Sequence, residues 1–266
     1  MIYALIIAVV LFFTYAAVEN RLILLVRREK LGNDIRIVHI SDLHKRKFGR
    51  DNKRLCELVK KQSPDVIFVT GDLITRNMTD FSVAKHTLDE FCSTAPVYII
   101  FGNHEQSLKP DAMEDFIEMV NSSGAVLLRN EYKEIQIGGK RLILAGLEEE
   151  YETYKKNGGY RDLEKLTVDD MEKCLGKCPD GEVVLLAHNP LFGDIYAEWG
   201  ADLVFSGHVH GGSVRLFGIG MLSPERKLFP KYSKGVYSIG KTKLLVSAGL
   251  GKPRLFDPPE IVVYEI

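Results

Sequence analysis

Asp42 and His44 stand two residues apart just beyond an apolar run, in the string IVHISDLH (Ile37–His44). Strand alternation sends positions i and i+2 to the same side, so a hard oxygen and an imidazole nitrogen would converge there on one cation. Alone, the pair reads as a strand end with a turn aspartate and a solvated histidine. Four later segments share this pattern, namely TGDL (Thr70–Leu73), FGNHE (Phe101–Glu105), LAHNP (Leu186–Pro190) and SGHVHGG (Ser206–Gly212). Each places Asp, Asn or His where an apolar run stops. Asp42, His44, Asp72, Asn103, His188, His208 and His210 together supply two carboxylates, four imidazoles and one amide. That mixture suits Mn²⁺, Fe or Zn²⁺ better than Ca²⁺ or Mg²⁺, which prefer all-oxygen shells. Seven donors exceed the needs of one ion and fit two divalent ions that share a bridging carboxylate. Cations ~3.5–4 Å apart clamp the attacking and leaving oxygens of a phosphoryl transfer and lower the pKa of bound water. Gly71, Gly102, Gly207, Gly211 and Gly212 are expected to allow the sharp turns that leave the next side chain at the ions.

The elements that must position these residues alternate along the chain. Strands are expected at Ile35–Ile40, Asp65–Thr70, Pro96–Phe101, Val183–Ala187 and Asp202–Phe205. Helices fall between them, over Arg50–Gln62, Ser82–Phe91 and Pro110–Val120. Shorter strands at Tyr132–Ile137 and Leu142–Ala145 flank a Gly138-Gly139 hairpin turn. Glu148–Leu166 reads as an irregular insertion, with Glu148–Glu150 on the surface, and Thr167-x-x-Asp170 as a helix start. The class is therefore α/β, and ligands of such sheets gather at the carboxyl ends of strands, where all five signatures lie.

The composition is that of a globular protein, with 45% hydrophobic and 27% charged residues. A formal charge of −1 gives no whole-molecule attraction to nucleic acid. Cys56, Cys92, Cys174 and Cys178 form no familiar pairing framework and are expected as free thiols. The N-terminus differs in kind. Met1–Val18 carries no charged side chain, and Glu19-Asn20-Arg21 separates it from a second apolar run, Leu22–Val26. It is expected to be a transmembrane anchor, with residues 1–30 as anchor and juxtamembrane segment and 31–266 as the catalytic domain. Basic residues follow the run, at Arg21, Arg27, Arg28 and Lys30, so the domain is expected on the cytoplasmic face.

D-x-H, G-D, G-N-H-E, a lone His and G-H-x-H in that order resemble the calcineurin-like metallophosphoesterases. SDLHKRKFG, SGHVHGGSVRL, LSPERKLFPKY and RLFDPPEI are similar to the membrane-associated bacterial branch that includes UDP-2,3-diacylglucosamine hydrolase-like enzymes. The likeness spans about Ile35 to the C-terminus. It implies a four-layer α/β/β/α sandwich. It implies one ion on Asp42, His44, Asp72 and His210, and another on Asp72, Asn103, His188 and His208, with Asp72 bridging. It also implies a catalytic His104 that protonates the leaving oxygen or stabilises the transition state, Glu105 as an orienter behind the ligands, and in-line attack on phosphorus by a bridging hydroxide. Two departures stand out. No Arg-Arg pair precedes the apolar run, and LEEEYETY (Leu147–Tyr154) offers poor phosphate contacts.

The expected activity is hydrolysis of phosphodiester or pyrophosphate bonds. An anchor close to the first catalytic strand points to a lipid-linked substrate. The alternatives are a phosphoesterase of soluble nucleotides and a non-catalytic metal-binding module on the same fold. His39, opposite in phase to Asp42, and Trp199 are expected in the core, His86 on a polar helix face, and Lys45-Arg46-Lys47 on a solvated one. Arg76, four residues after Asp72, stands close enough in sequence to approach substrate.

Overall fold

In the computed structural model, all residues except 33, 161, 252 and 253 are described, with the side chains at positions 4 and 8 also left aside. The chain opens with helix α1 (Ile2–Arg21) and strands β1 (Leu25–Lys30) and β2 (Arg36–Ile40). Next come α2 (Lys53–Lys60), β3 (Val66–Thr70), α3 (Ser82–Cys92), β4 (Val97–Ile100), α4 (Pro110–Ser122) and β5 (Val126–Leu127). The second half runs through β6 (Glu131–Ile137), β7 (Lys140–Gly146), α5 (Val168–Leu175), β8 (Val183–Leu186), α6 (Gly193–Trp199) and β9 (Leu203–Ser206). A small hairpin, β10 (Arg215–Leu216) with β11 (Ile219–Gly220), precedes β12 (Gly235–Ile239), β13 (Thr242–Val246) and β14 (Glu260–Glu265).

Two six-stranded sheets result, in the orders β1-β14-β2-β3-β4-β5 and β12-β13-β9-β8-β7-β6. The neighbours β2, β3, β4 and β5 are parallel, as are β7, β8, β9 and β13. Buried on both faces, these strands carry continuous apolar runs such as Val66-Ile67-Phe68-Val69 instead of an alternating pattern. Alternate residues still part to different layers. Val38, Ile40, Ile67 and Val69 pack under α2, α3 and α4 with Leu55, Leu88 and Phe116. Ile37, Val66 and Phe68 meet Leu144, Val184, Leu186 and Phe205 between the sheets. Val183, Leu185 and Val204 face Met171, Tyr196 and Trp199 of α5 and α6. The four layers are thus helix, sheet, sheet, helix.

Phe205 holds the two sheets together. Its ring stands 5.1 Å from that of Phe68, 5.3 Å from Tyr264 and 5.4 Å from His39, all fully buried. Phe205→Ala is expected to lower the unfolding free energy by about 3–5 kcal/mol, the usual cost of an aromatic cavity. Urea denaturation checks this, and a loss below about 1 kcal/mol would mean that the inter-sheet layer closes over the gap.

The N-terminal expectation needs correction. The apolar run is helical, but among the described residues no helix is long and apolar enough to cross a membrane. The expected span includes positions 4 and 8, whose side chains lie outside the described residues. The last turn of α1 is committed elsewhere. Glu19 is fully buried and its Oε2 accepts the N–H of Phe256 at 2.8 Å, while Asn20 Nδ2 donates to the carbonyl of Arg254 at 2.7 Å. Phe12 and Tyr15 lie against Phe256. Only Ile2–Leu11 precede the first of these contacts, roughly 15 Å of helix against a hydrocarbon core of ~30 Å. The supposed juxtamembrane segment is also part of the fold. Leu25–Lys30 pairs in parallel with β14, and Arg27 contacts Glu260 at 3.1 Å. The first sheet therefore begins before Leu31.

Other expectations hold in the fold. The four cysteines are free. α5 starts with a capping box between Thr167 and Asp170, and Gly138-Gly139 turns between β6 and β7. His39 and Trp199 are buried and His86 is exposed.

Candidate metal centre

Every residue singled out as a ligand lies just past the carboxyl end of a parallel strand, where the edges of the two sheets meet. Asp42 and His44 follow β2, Asp72 follows β3, Asn103 and His104 follow β4, His188 follows β8, and His208 and His210 follow β9. Pleat alternation does not aim Asp42 and His44, because β2 stops at Ile40. Both residues instead adopt left-handed backbone, with φ of 56° and 55°. Asp72 (53°), His208 (63°) and His210 (53°) do the same. Such conformations cost non-glycine residues free energy and gather at functional sites; Asp and His are among the side chains that tolerate them.

The glycines divide by role. Gly71, Gly211 and Gly212 have positive φ, as expected of turns. Gly102 and Gly207 do not, and what matters there is close approach. A Cβ on Gly102 would stand 2.3 Å from Asp72 Oδ1, and one on Gly207 1.8 Å from Ser41 Oγ.

The donor atoms fall into three overlapping groups: Asp42, His44 and His210; His44, Asp72 and His104; and Asp72, His188 and His208. His210 Nε2 is 3.2 Å from Asp42 Oδ1 and 3.4 Å from His44 Nε2. His188 Nε2 is 3.4 Å from Asp72 Oδ2 and 3.2 Å from His208 Nδ1. Asp72 Oδ2 also lies 3.7 Å from His44 Nε2, so this carboxylate stands between the two clusters. Asn103 is buried on the same side, and its Oδ1 has no hydrogen-bond partner among the described residues.

This set fits cations. Imidazole nitrogens set 3.2–3.4 Å apart crowd donor atoms together, which a shared cation would satisfy. The orphaned amide oxygen is one more donor in search of it. Burial opposes ionisation of Asp72, yet the imidazoles of His188, His44 and His104 hold its carboxyl well below the ordinary range. Burial likewise opposes the charge on His188, but Asp72 raises its pKa to about 10. Asp42 is also held low, chiefly by His210 against the cost of burial.

The surrounding residues fix the arrangement. Fully buried Glu105 accepts the N–H groups of Asp72 and Gly102 on Oε2, each at 2.8 Å, and that of Ile74 on Oε1 at 3.0 Å. It pins the two turns on which Asp72 and Asn103 ride. Burial, reinforced by the charge of Asp72, raises its pKa to about 8. His104 is held differently. Its backbone N–H donates to Asp72 Oδ1 at 2.8 Å, and its Nδ1 accepts the N–H of Arg76 at 3.2 Å. Nε2 lies 4.0 Å from Asp72 Oδ2. Burial lowers the pKa of this imidazole to about 4. Arg76 Nη2 lies 3.2 Å from His104 Nε2, and Nη1 donates to the Tyr151 hydroxyl at 3.3 Å.

The cluster opens into a cavity of about 680 Å³ lined by Arg21, Lys45, Lys47, Arg76, Tyr151 and Lys155 among others. Two expectations change here. Arg46 is not on a solvated face; it is buried, and its Nη1 donates to the carbonyl of Leu250 at 2.8 Å. Glu149 is not on the surface either, because its Oε1 accepts from the N–H of Asn189 at 3.0 Å and the hydroxyl of Tyr196 at 2.8 Å. Sequence reasoning missed two residues beside the ligands. The ring of buried Tyr154 stands 4.9 Å from that of His208. Buried Glu225 hydrogen-bonds His208 Nε2. Both lie in strings quoted above, Tyr154 in LEEEYETY and Glu225 in LSPERKLFPKY, but that each meets His208 follows only from tertiary packing.

A family profile described as calcineurin-like phosphoesterase matches residues 35–212. An uncharacterised metallophosphoesterase of Campylobacter jejuni is 31% identical over 96% of this chain and 67% of its own length. One from Aquifex aeolicus is 29% identical over 91% and 89%. A zebrafish protein named as a transmembrane protein with a metallophosphoesterase domain is 27% identical over 82% of this chain and 49% of its own. Among solved structures, the Thermus thermophilus sulfate thiohydrolase SoxB superposes with a TM-score of 0.55 at 14% identity. That match covers 88% of this chain and 57% of SoxB, and at this identity it speaks for the fold alone.

Proposed function

The chain belongs to the calcineurin-like phosphoesterases and is a metal-dependent phosphoester hydrolase, and we propose that it uses two divalent ions to cleave a phosphodiester or pyrophosphate bond of a lipid-linked substrate. The observation that carries the dinuclear reading is Asp72, whose Oδ2 faces His44 on one side and His188 on the other. Asp42, His44, Asp72 and His210 would hold one ion, and Asp72, Asn103, His188 and His208 the other. The donors suit Mn²⁺, Fe or Zn²⁺. When bound, such a pair supplies a nucleophile at neutral pH and positive charge for the phosphoryl oxygens.

The chain's own groups do the rest. Glu105 keeps the Asp72 and Asn103 turns in register through three N–H bonds. Arg76, at the cavity wall, adds a guanidinium for a phosphoryl oxygen. His104 turns Nε2 toward the cluster, 4.0 Å from Asp72 Oδ2, and is held there by Arg76. As water oxygen bonds to phosphorus and the ester P–O bond breaks, His104 in its imidazolium form would pass a proton to the leaving oxygen and return to the neutral ring.

The lipid-linked reading rests on α1. Ile6, Leu11, Phe12 and Phe13 are exposed along it, while its last residues, Asn20 and Arg21, line the cavity. An apolar surface fixed at the mouth of a basic cavity suits a substrate with an acyl or prenyl portion beside an anionic group. Its natural place is against the cytoplasmic leaflet, with basic residues toward anionic lipid.

Deletion of residues 2–14 tests this, since it spares Tyr15, Glu19, Asn20 and β1. The Mn²⁺-loaded protein is expected to hydrolyse a soluble nitrophenyl phosphodiester as before and to lose about tenfold or more on a lipid pyrophosphate in vesicles, as effective concentration falls. Equal rates of full-length and shortened protein on both substrates would remove lipid linkage and leave a soluble phosphoester, such as a nucleotide.

A further inference from the structure

We infer that Glu225 is a positioning residue for the metal centre, fixing His208 so that its Nδ1 is the nitrogen offered to the cation; this rests on the dinuclear reading above. His208 is held at both ends. Its backbone N–H donates to both carboxylate oxygens of Asp42 at 3.1 Å, and its ring Nε2 donates to Glu225 Oε1. The remaining ring nitrogen, Nδ1, faces His188 Nε2 at 3.2 Å, on the side of Asp72. Glu225 therefore sits on the Nε2 side of the ring, where it lines the cavity beside His208.

A carboxylate in that place does two things. It fixes the tautomer, because Nε2 must carry the hydrogen and Nδ1 must keep its lone pair. It also raises the basicity of Nδ1 by stabilising positive charge on the ring.

The local chain is built to hold Glu225 there. Leu222 and Leu228 form an antiparallel bridge, the N–H of Ser223 donates to the Lys227 carbonyl at 2.9 Å, and the N–H of Arg226 closes a turn on the Ser223 carbonyl at 2.9 Å. Arg226 takes positive φ, 61°, so the tight turn delivers the preceding side chain inward. Glu225 is 4% exposed and its Oε2 has no hydrogen-bond partner among the described residues. A carboxylate so buried costs free energy unless the partner it has is worth keeping. His208 is that partner.

The test measures Mn²⁺ binding by competition with a chelating indicator, together with metal content after gel filtration, in the full chain and three variants. Glu225→Ala is expected to weaken one of the two sites by 10–100-fold, the range for loss of such a support, and to leave the other within twofold. Glu225→Gln can still accept the Nε2 hydrogen without the charge, so its loss should be smaller. His208→Ala should empty the same site. Circular dichroism and a thermal melt establish that each variant is folded. Unchanged Mn²⁺ affinity in folded Glu225→Ala, with His208→Ala still losing one ion, would overturn the role of Glu225 alone. A site empty in Glu225→Gln as well would overturn it by making Glu225 a ligand. If His208→Ala keeps both ions, His208 is not a ligand and the inference falls with it, while a full chain that binds fewer than two ions would remove the dinuclear reading.

Discussion

Asp72→Asn is expected to release both ions and to lower kcat/KM by at least ~10³, about 4 kcal/mol of transition-state stabilisation. The argument is electrostatic and geometric. Asp72 Oδ2 is 3.4 Å from His188 and 3.7 Å from His44, one residue from each cluster. Asparagine keeps an acceptor for the His104 N–H, now bound by Asp72 Oδ1 at 2.8 Å, so the turn survives. It also removes the shared negative charge and can set an N–H₂ against imidazole lone pairs. Glu105 then stands beside one fewer anion, which lowers its own cost of ionisation, so the fold is not expected to suffer. Metal analysis beside turnover decides the matter. A variant with two bound ions and near-normal rate would end the bridging role.

His104→Ala is expected to leave both ions in place and to slow hydrolysis by ~10²–10⁴, the usual contribution of a positioned acid. Its Nε2 is 4.0 Å from Asp72 Oδ2 and its ring centroid 4.5 Å from that of His44, at the edge of the cluster. The N–H that anchors it to Asp72 belongs to the backbone and survives the substitution. The deficit should shrink for nitrophenolate, which leaves without a proton, and stay large for an alkoxide leaving group. An equal deficit on both would assign His104 to charge stabilisation. Loss of an ion would make it a ligand.

The ligand-like side chains are legible in the chain because each belongs to a short local string: an apolar strand that stops, often at a glycine, before Asp, Asn or His. Strand ends are local events, and in a parallel sheet they all face one edge. That is why Asp42, Asp72, Asn103, His188 and His208 can be placed together without knowing the sheet order. The aiming of Asp42 and His44 is not legible in the same way, since it comes from left-handed turns and not from the pleat. Backbone handedness after a strand depends on what each residue meets across the cluster, and no local pattern records it.

Residue type and near-neighbour spacing suffice for the α/β class and the ligand-like side chains, while the four layers and the roles of His104 and Glu105 are what the family resemblance implies. Only the folded chain reveals that Leu25–Lys30 is a strand on β14, that Glu19 is buried against Phe256, that Glu149 serves Tyr196, and that Glu225 reaches His208. Each pairs groups 17 to 237 positions apart, where one residue type is compatible with many partners. A buried acid is indistinguishable from a surface one until the fold supplies the group that makes its burial tolerable.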